Sequence, residues 1–132
     1  MKILPLKPPP LDSRPSIVFH VQSLYKEIYQ IGNGIPKRDK LGLHGMIEKA
    51  CIEMLSLSIK ASLESKTIKR ETIRGVRIVA ETLKHLIRAE HELKIIRQRQ
   101  YILLEEKLQE ISKESLGWER YVSKSSPQGE LL

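Results

Sequence analysis

The segment YILLEEKLQEISKESLGWERYV, residues 101–122, decides the fold class of this chain. Charged residues occupy many of the positions between the residues that recur at spacings of three and four, which are Tyr101, Leu104, Leu108, Ile111, Ser115, Trp118 and Val122. This spacing forms one stripe along an α-helix, as in a coiled-coil seam. A helix with such a seam buries it against other helices, so the segment predicts an all-α fold.

Three more segments upstream have the same helical period. We predict four helices, at about residues 16–31, 36–65, 67–93 and 98–122. Their joins are about two to five residues long, which favours antiparallel packing of consecutive helices. The sequence therefore predicts an antiparallel up-down-up-down four-helix bundle. Gly117 in the fourth helix predicts a late kink or the close approach of another backbone.

The second predicted helix has an apolar surface wider than one neighbour covers. Its apolar residues are Leu43, Met46, Ile47, Ala50, Cys51, Met54, Leu55, Leu57 and Ile59. A surface that covers more than half of the circumference indicates contacts with several helices, including those of another subunit. We therefore expect a homo-oligomer. Gly42 and Gly45 weaken the first turns of this helix.

Both ends of the chain differ from the helical part. Five prolines in residues 1–15 predict an extended, disordered arm, and residues 123–132 predict a flexible tail, which leaves residues 16–122 as the bundle. The prolines also interrupt any secretory signal, and no run of about eighteen apolar residues predicts a membrane span. The single cysteine, Cys51, excludes an internal disulfide, and its apolar neighbours predict a protonated thiol. These features favour a cytoplasmic protein.

The titratable residues form no pattern typical of catalysis or metal binding. In Glu90-His91-Glu92, adjacent helical side chains point about 100° apart, so the three residues do not converge on one metal ion. Helical bundles hold paired metals with Glu-x-x-His motifs, and the sequence has none. The pairs His44/Glu48 and Glu81/His85 have i, i+4 spacing, which occurs easily by chance in a charged helical chain. We predict no catalytic residue, no metal site, no cofactor and no enzymatic activity.

Basic residues are concentrated in one part of the chain. The net charge is +7, and residues 66–99 hold ten Lys or Arg against four Asp or Glu. Five cations of the third predicted helix fall in one narrow sector roughly opposite the core and form what we call the basic stripe: Arg70, Arg74, Arg77, Lys84 and Arg88. Only Glu81 interrupts this stripe.

Two further basic clusters lie near helix ends. The first is Lys37, Arg38 and Lys40, and the second is Lys94, Arg97 and Arg99. Helix lengths and antiparallel order place both clusters at the same end of the bundle, so we expect them to form one patch. Arginine suits phosphate contacts, and no aromatic residues are interleaved for base stacking. We predict binding to RNA or DNA with little sequence preference; the alternative is a solvated helix face.

Two segments resemble the Avd-like four-helix bundle proteins. Residues 35–61, IPKRDKLGLHGMIEKACIEMLSLSIKA, are similar to the second helix of that family, in which a proline-basic entry and a short turn lead into an Ile-Glu-x-Ala run. Residues 83–121, LKHLIRAEHELKIIRQRQYILLEEKLQEISKESLGWERY, resemble the family in a Leu-rich third helix, a Lys-x-Ile join, a Gln-Tyr opening and a terminal Gly-Trp. The likeness covers about residues 17–122.

The resemblance implies a small, basic, non-catalytic protein that assembles as a ring-shaped homopentamer. The best-known members are accessory variability determinants of diversity-generating retroelements, which bind the reverse transcriptase and nucleic acid during mutagenic copying of a template RNA into DNA. A related branch, encoded in ribosomal-RNA intervening sequences, usually has an IPSNIAEG-like stretch where this chain has LSLSIKAS, residues 55–62. The proline arm and a first helix without tryptophan depart from the family. A structural or adaptor bundle with no nucleic-acid role is the alternative.

Overall fold

A computed structural model describes residues 16–124, and these residues are helical with no strand among them. The helices are α1 (Ile17–Ile31), α2 (Lys37–Leu41), α3 (Leu43–Leu63), α4 (Lys69–Glu92) and α5 (Gln98–Lys124). A short 3₁₀ turn, Gly32–Gly34, follows α1. Four long helices pack against one another, which confirms the all-α prediction. The arm predicted at 1–15 lies outside the described residues, and so does the tail predicted at 123–132 except for Ser123 and Lys124, which belong to α5.

The single helix predicted for residues 36–65 is wrong, because the chain breaks at Gly42. This glycine has φ −90° and ψ −112°, which is not helical, and its amide donates to the Arg38 carbonyl at 2.9 Å to close α2. A Cβ at this position would lie 2.9 Å from the same carbonyl oxygen, so any side chain forces the backbone to move. The break separates α2, with its three cations, from the long α3.

Four helices contribute to one continuous core. Its fully buried apolar side chains include Val21, Leu24, Ile28, Ile47, Cys51, Met54, Val76, Ala80, Leu83, Ile87, Leu104, Leu108 and Ile111. Burial raises the pKa of the Cys51 thiol to about 12, so the predicted protonated cysteine is confirmed. No helix among residues 16–124 is long and apolar enough to cross a membrane.

The seam predicted along α5 is confirmed except at Tyr101 and Trp118, which are only half-buried. Leu104, Leu108, Ile111, Ser115 and Val122 are buried, but Glu119 takes the buried position next to Trp118, which is only half-buried. The helix continues unbroken through Gly117, and apart from the adjacent residues and the backbone of α5 itself no described atom lies within 4 Å of the position that a Cβ would take there. The close approach of another backbone that Gly117 predicts is therefore absent within residues 16–124.

Contacts between helices define which helix ends meet. The Ile28 carbonyl, near the end of α1, faces His44 at the start of α3, whereas the Val21 carbonyl faces Cys51 further along α3. His44 also contacts Glu90 at the end of α4. The end of α1, the start of α3 and the end of α4 therefore lie together, and the join to α5 begins there.

Candidate polyanion-binding surface

The basic stripe lies on the side of α4 that faces away from the core. The core side of this helix carries Ile73, Val76, Ala80, Leu83 and Ile87, all fully buried. In the stripe, Arg70, Arg74 and Arg88 are exposed, and Arg77 and Lys84 are half-buried. The predicted orientation of the stripe is therefore confirmed, although two of its members are partly covered.

An unexpected carboxylate neutralises the middle of the stripe. Arg77 Nη1 lies 2.5 Å from Glu119 Oε1, and Arg74 Nη2 lies 3.3 Å from Glu119 Oε2. Burial raises the pKa of Glu119, but the bonds to both guanidinium groups and their charges lower it by more, so the net pKa is below its ordinary value. The expectation that only Glu81 interrupts the stripe is wrong, because Glu119 reaches it from α5.

Two other cations of the stripe also have partners. Lys84 Nζ lies 3.0 Å from Glu81 Oε2. A hydrogen bond with the Tyr101 hydroxyl raises the pKa of Arg88. Arg70 alone in the stripe forms no ion pair or side-chain hydrogen bond with residues 16–124. The stripe therefore offers a ligand less positive charge than its sequence predicts.

The two clusters at the helix ends keep their charge available. We call them together the basic end, which consists of Lys37, Arg38, Lys40, Lys94, Arg97 and Arg99. All six are exposed, and none forms a side-chain ion pair within the part of the chain that the structure describes. Because His44 and Glu90 are in contact, α2 and the α4–α5 join lie at the same end of the bundle. This is the arrangement that helix order predicts.

A buried ion pair holds this end together. His44 Nδ1 lies 2.6 Å from Glu90 Oε2, His44 Nε2 lies 2.8 Å from the Ile28 carbonyl oxygen, and both side chains are fully buried. A carbonyl only accepts, so Nε2 carries a proton and the pair links α1, α3 and α4. Burial lowers the pKa of His44, but the bonds to Glu90 and Ile28 and the charges of Glu90 and Glu48 raise it by more.

The join between α4 and α5 keeps a lysine in a conformation that favours glycine. Lys94 has φ 62°, and its amide donates to the His91 carbonyl at 2.9 Å while the Ile95 amide donates to the Glu90 carbonyl at 2.9 Å. This pattern is a Schellman helix end, whose left-handed position usually holds glycine. A side chain there costs about 1 kcal/mol. Ile96, which is 4% exposed, fixes the join to the core.

The start of α5 also carries charges of the unfavourable sign. Arg97 immediately precedes the helix, and its amide donates to Gln100 Oε1 at 2.9 Å in one half of a capping box. Arg99 follows in the first turn. Positive side chains at a helix N-terminus oppose the helix dipole. Three residues of the basic end, Lys94, Arg97 and Arg99, therefore occupy positions where their side chains lower the stability of the folded chain.

The sequence identifies the cations of this surface, but it does not identify the side chains that pair with buried or partly buried charges beside them. Glu119 lies 42 residues from Arg77, and Glu90 lies 46 residues from His44. One signal was available for Glu119, because it follows Ser115 by four residues and precedes Val122 by three, and so continues the buried seam.

The chain matches no protein-family model, no curated protein and no solved structure.

Proposed function

We propose that this chain is a non-catalytic helical protein that binds the phosphate backbone of RNA or DNA through its basic end. The observation that carries the proposal is the basic end itself, with six exposed cations that lack ion-pair partners within residues 16–124. Unpaired cations attract phosphates and release the counterions condensed on a nucleic acid. Arg88, near the end of α4, extends this surface along the helix, whereas Arg70 lies at the other end of α4.

The local conformation of the basic end supports the same proposal. A lysine in the left-handed region and two arginines at a helix start each lower the stability of the folded chain. Residues that oppose local stability rules concentrate at functional sites. A polyanion that binds at this end offsets the repulsion among these charges.

The resemblance extends the proposal to an assembly and a partner. We propose an up-down-up-down bundle of the Avd-like kind, supported by the opposite order of contacts along α1 and α3. The proposal includes a cytoplasmic homopentamer that binds a reverse transcriptase and its template RNA or complementary DNA during mutagenic reverse transcription. Exposed apolar residues on α3, among them Ile52, Ile59 and Leu63, support an oligomer.

An adaptor bundle with no nucleic-acid role, including one of the ribosomal-RNA intervening-sequence kind, is the second candidate. Two observations favour it: the exposed apolar residues of α3 suit a protein partner, and Glu119 neutralises the middle of the basic stripe. The two candidates differ in whether the basic end binds nucleic acid in a salt-dependent way.

Reversing two charges of the basic end is expected to weaken nucleic-acid binding. In the Arg97→Glu/Arg99→Glu variant, affinity for a long single-stranded RNA falls about tenfold or more at low salt. The slope of log affinity against log salt falls by about 1.4, since each lost phosphate contact removes about 0.7. Glutamates at the start of α5 favour the helix dipole, so helicity is retained. Fluorescence anisotropy across a salt series measures the slope.

The matched control changes the same charge on the same helix but away from the basic end. Lys113 and Arg120 are exposed and form no ion pair within residues 16–124, so Lys113→Glu/Arg120→Glu alters net charge equally. Equal losses in both variants would mean that net charge alone attracts the nucleic acid. No salt-dependent binding by the unaltered protein would leave the adaptor as the better description.

Replacing Lys94 by glycine is expected to raise the stability of the folded chain and to weaken nucleic-acid binding. Lys94→Gly relieves the left-handed conformation and raises the free energy of unfolding by about 0.5–1 kcal/mol. The same variant loses one phosphate contact, so the salt slope falls by about 0.7. Lys94→Ala is the control, because it removes the charge but keeps the strain. Urea titration measures the stability of both variants, and anisotropy measures their nucleic-acid binding. If Lys94→Ala is as stable as Lys94→Gly, the left-handed conformation of residue 94 does not lower the stability of the folded chain.

A further inference from the structure

Three potential metal ligands converge from two helices on the side of the bundle formed by α1 and α5. His20 lies on α1, and Glu110 and Glu114 lie one turn apart on the same face of α5. One ligand atom from each residue lies within 4.8 Å of the other two. The sequence predicts no metal site because it contains no local metal-binding motif. His20 and Glu114 are 94 positions apart, so their cluster forms no such motif in the sequence.

Two of the three side chains are already oriented. His20 Nδ1 lies 2.6 Å from Glu114 Oε1, and the Ser16 hydroxyl donates to Glu114 Oε2. Glu110, in contrast, forms no ion pair or side-chain hydrogen bond within residues 16–124. Lys107 lines the same groove, but its ammonium group donates to the Ser23 hydroxyl at 2.9 Å. The cluster thus has one carboxylate held in place and one without a partner.

We propose that His20, Glu110 and Glu114 form a binding site for a divalent transition metal, with zinc as the probe. One imidazole nitrogen and two carboxylate oxygens are ligands that zinc accepts, and three protein ligands leave a fourth position for water. At bond lengths of about 2.0–2.2 Å, tetrahedral ligand atoms lie about 3.4 Å apart. Rotation of the exposed Glu110 side chain brings its carboxylate oxygen to this distance from the other two ligand atoms.

Binding replaces the hydrogen bond between His20 Nδ1 and Glu114 Oε1, which are 2.6 Å apart, by two bonds to the metal ion. The neutral imidazole then carries its one proton on Nε2 and presents the Nδ1 lone pair to the metal ion. The groove beside the site is lined by His20, Ser23, Leu103 and Glu110, which gives the ion and its water a route from solvent. The bound ion would connect α1 to α5 and so stabilise the folded chain.

Zinc titration of untagged protein tests the site. The expected result is one zinc ion bound per chain by calorimetry and a rise in melting temperature of several degrees at saturating zinc. His20→Gln is expected to weaken zinc binding about tenfold or more and to abolish the thermal shift. No stoichiometric zinc, or unchanged affinity in His20→Gln, overturns the proposal, because the cluster is then an exposed ion pair only.

Two further variants separate metal binding from folding. Glu110 has no partner within residues 16–124, so Glu110→Gln is expected to leave stability without zinc unchanged and to weaken zinc binding about tenfold. His85→Gln is the matched control, because Glu81 and His85 form an i, i+4 pair on exposed α4 positions without a third ligand. Equal weakening in His85→Gln, or unaltered binding in Glu110→Gln, assigns the zinc to other groups.

Discussion

His44→Ala is expected to lower the free energy of unfolding by about 3–5 kcal/mol, a large fraction of the stability of a single domain. The substitution leaves Glu90 as a fully buried carboxylate without its cation, and Glu90 Oε1 already has no hydrogen-bond partner within residues 16–124. It also removes the donor to the Ile28 carbonyl, which tethers α1 to α3. Urea denaturation at neutral pH, monitored by circular dichroism, measures the loss.

Two control variants separate the charge of the pair from its packing. In Glu90→Gln, a neutral imidazole still donates from Nε2 to Ile28 and accepts from the glutamine amide, so the loss is smaller than in His44→Ala. His44→Leu/Glu90→Met replaces the whole pair by apolar groups and is expected to recover most of the stability. A double variant that is no more stable than His44→Ala would contradict the importance of the unpaired charge.

The same pair predicts a loss of stability at alkaline pH. The pKa of His44 is raised above 6.5 in the folded chain, so the folded state binds more protons than the unfolded state between the two pKa values. The free energy of unfolding therefore falls with rising pH, by up to about 1.4 kcal/mol per pH unit, from 6.5 through the folded pKa. The stabilisation is fully present below 6.5. Glu90→Gln is expected to flatten this dependence.

Helices are predictable here because their signal is local. The seam of α5 and the apolar stripe of α4 repeat at spacings of three and four, and each repeat places neighbouring residues on one buried side. The break at Gly42 is less predictable, since a glycine lowers helix stability without fixing where the helix stops. The carbonyl oxygen of Arg38 lies 2.9 Å from the position that a Cβ on Gly42 would take, which shows why the turn requires glycine.

Charged partners are harder to predict because they depend on pairing between distant helices. The sequence places Arg74 and Arg77 on the outer side of α4, and the structure agrees. It does not indicate that Glu119 of α5 faces them, since the rotation and axial offset of one helix against another come from packing in the whole core. Likewise, Glu90 belongs to the polar run Glu90-His91-Glu92, yet it is fully buried against His44.

Arg74→Glu/Arg77→Glu is expected to destabilise the fold, although the sequence suggests that both residues are dispensable for it. The double variant removes two charge-assisted contacts of Glu119 and places two like charges beside a carboxylate that is 8% exposed. Such contacts contribute about 1.5–3 kcal/mol each when shielded, and partial exposure of the arginines reduces this, so we expect a loss of about 2–4 kcal/mol. Urea denaturation at neutral pH measures it, and Lys113→Glu/Arg120→Glu, with the same charge change, is expected to stay within about 0.5 kcal/mol of the unaltered protein.

Adding Glu119→Lys to that double variant is expected to restore most of the lost stability, because a cation then faces the two new carboxylates from α5. The pH dependence gives an independent check. The pKa of Glu119 lies below 4.5 in the folded chain, so its stabilisation is fully present above 4.5 and disappears as pH falls through the folded pKa. Arg74→Glu/Arg77→Glu should lack this acid-dependent loss, since no cation then lowers the pKa of Glu119. A triple variant no more stable than the double would show that the arginines stabilise α4 through their aliphatic packing instead of through Glu119.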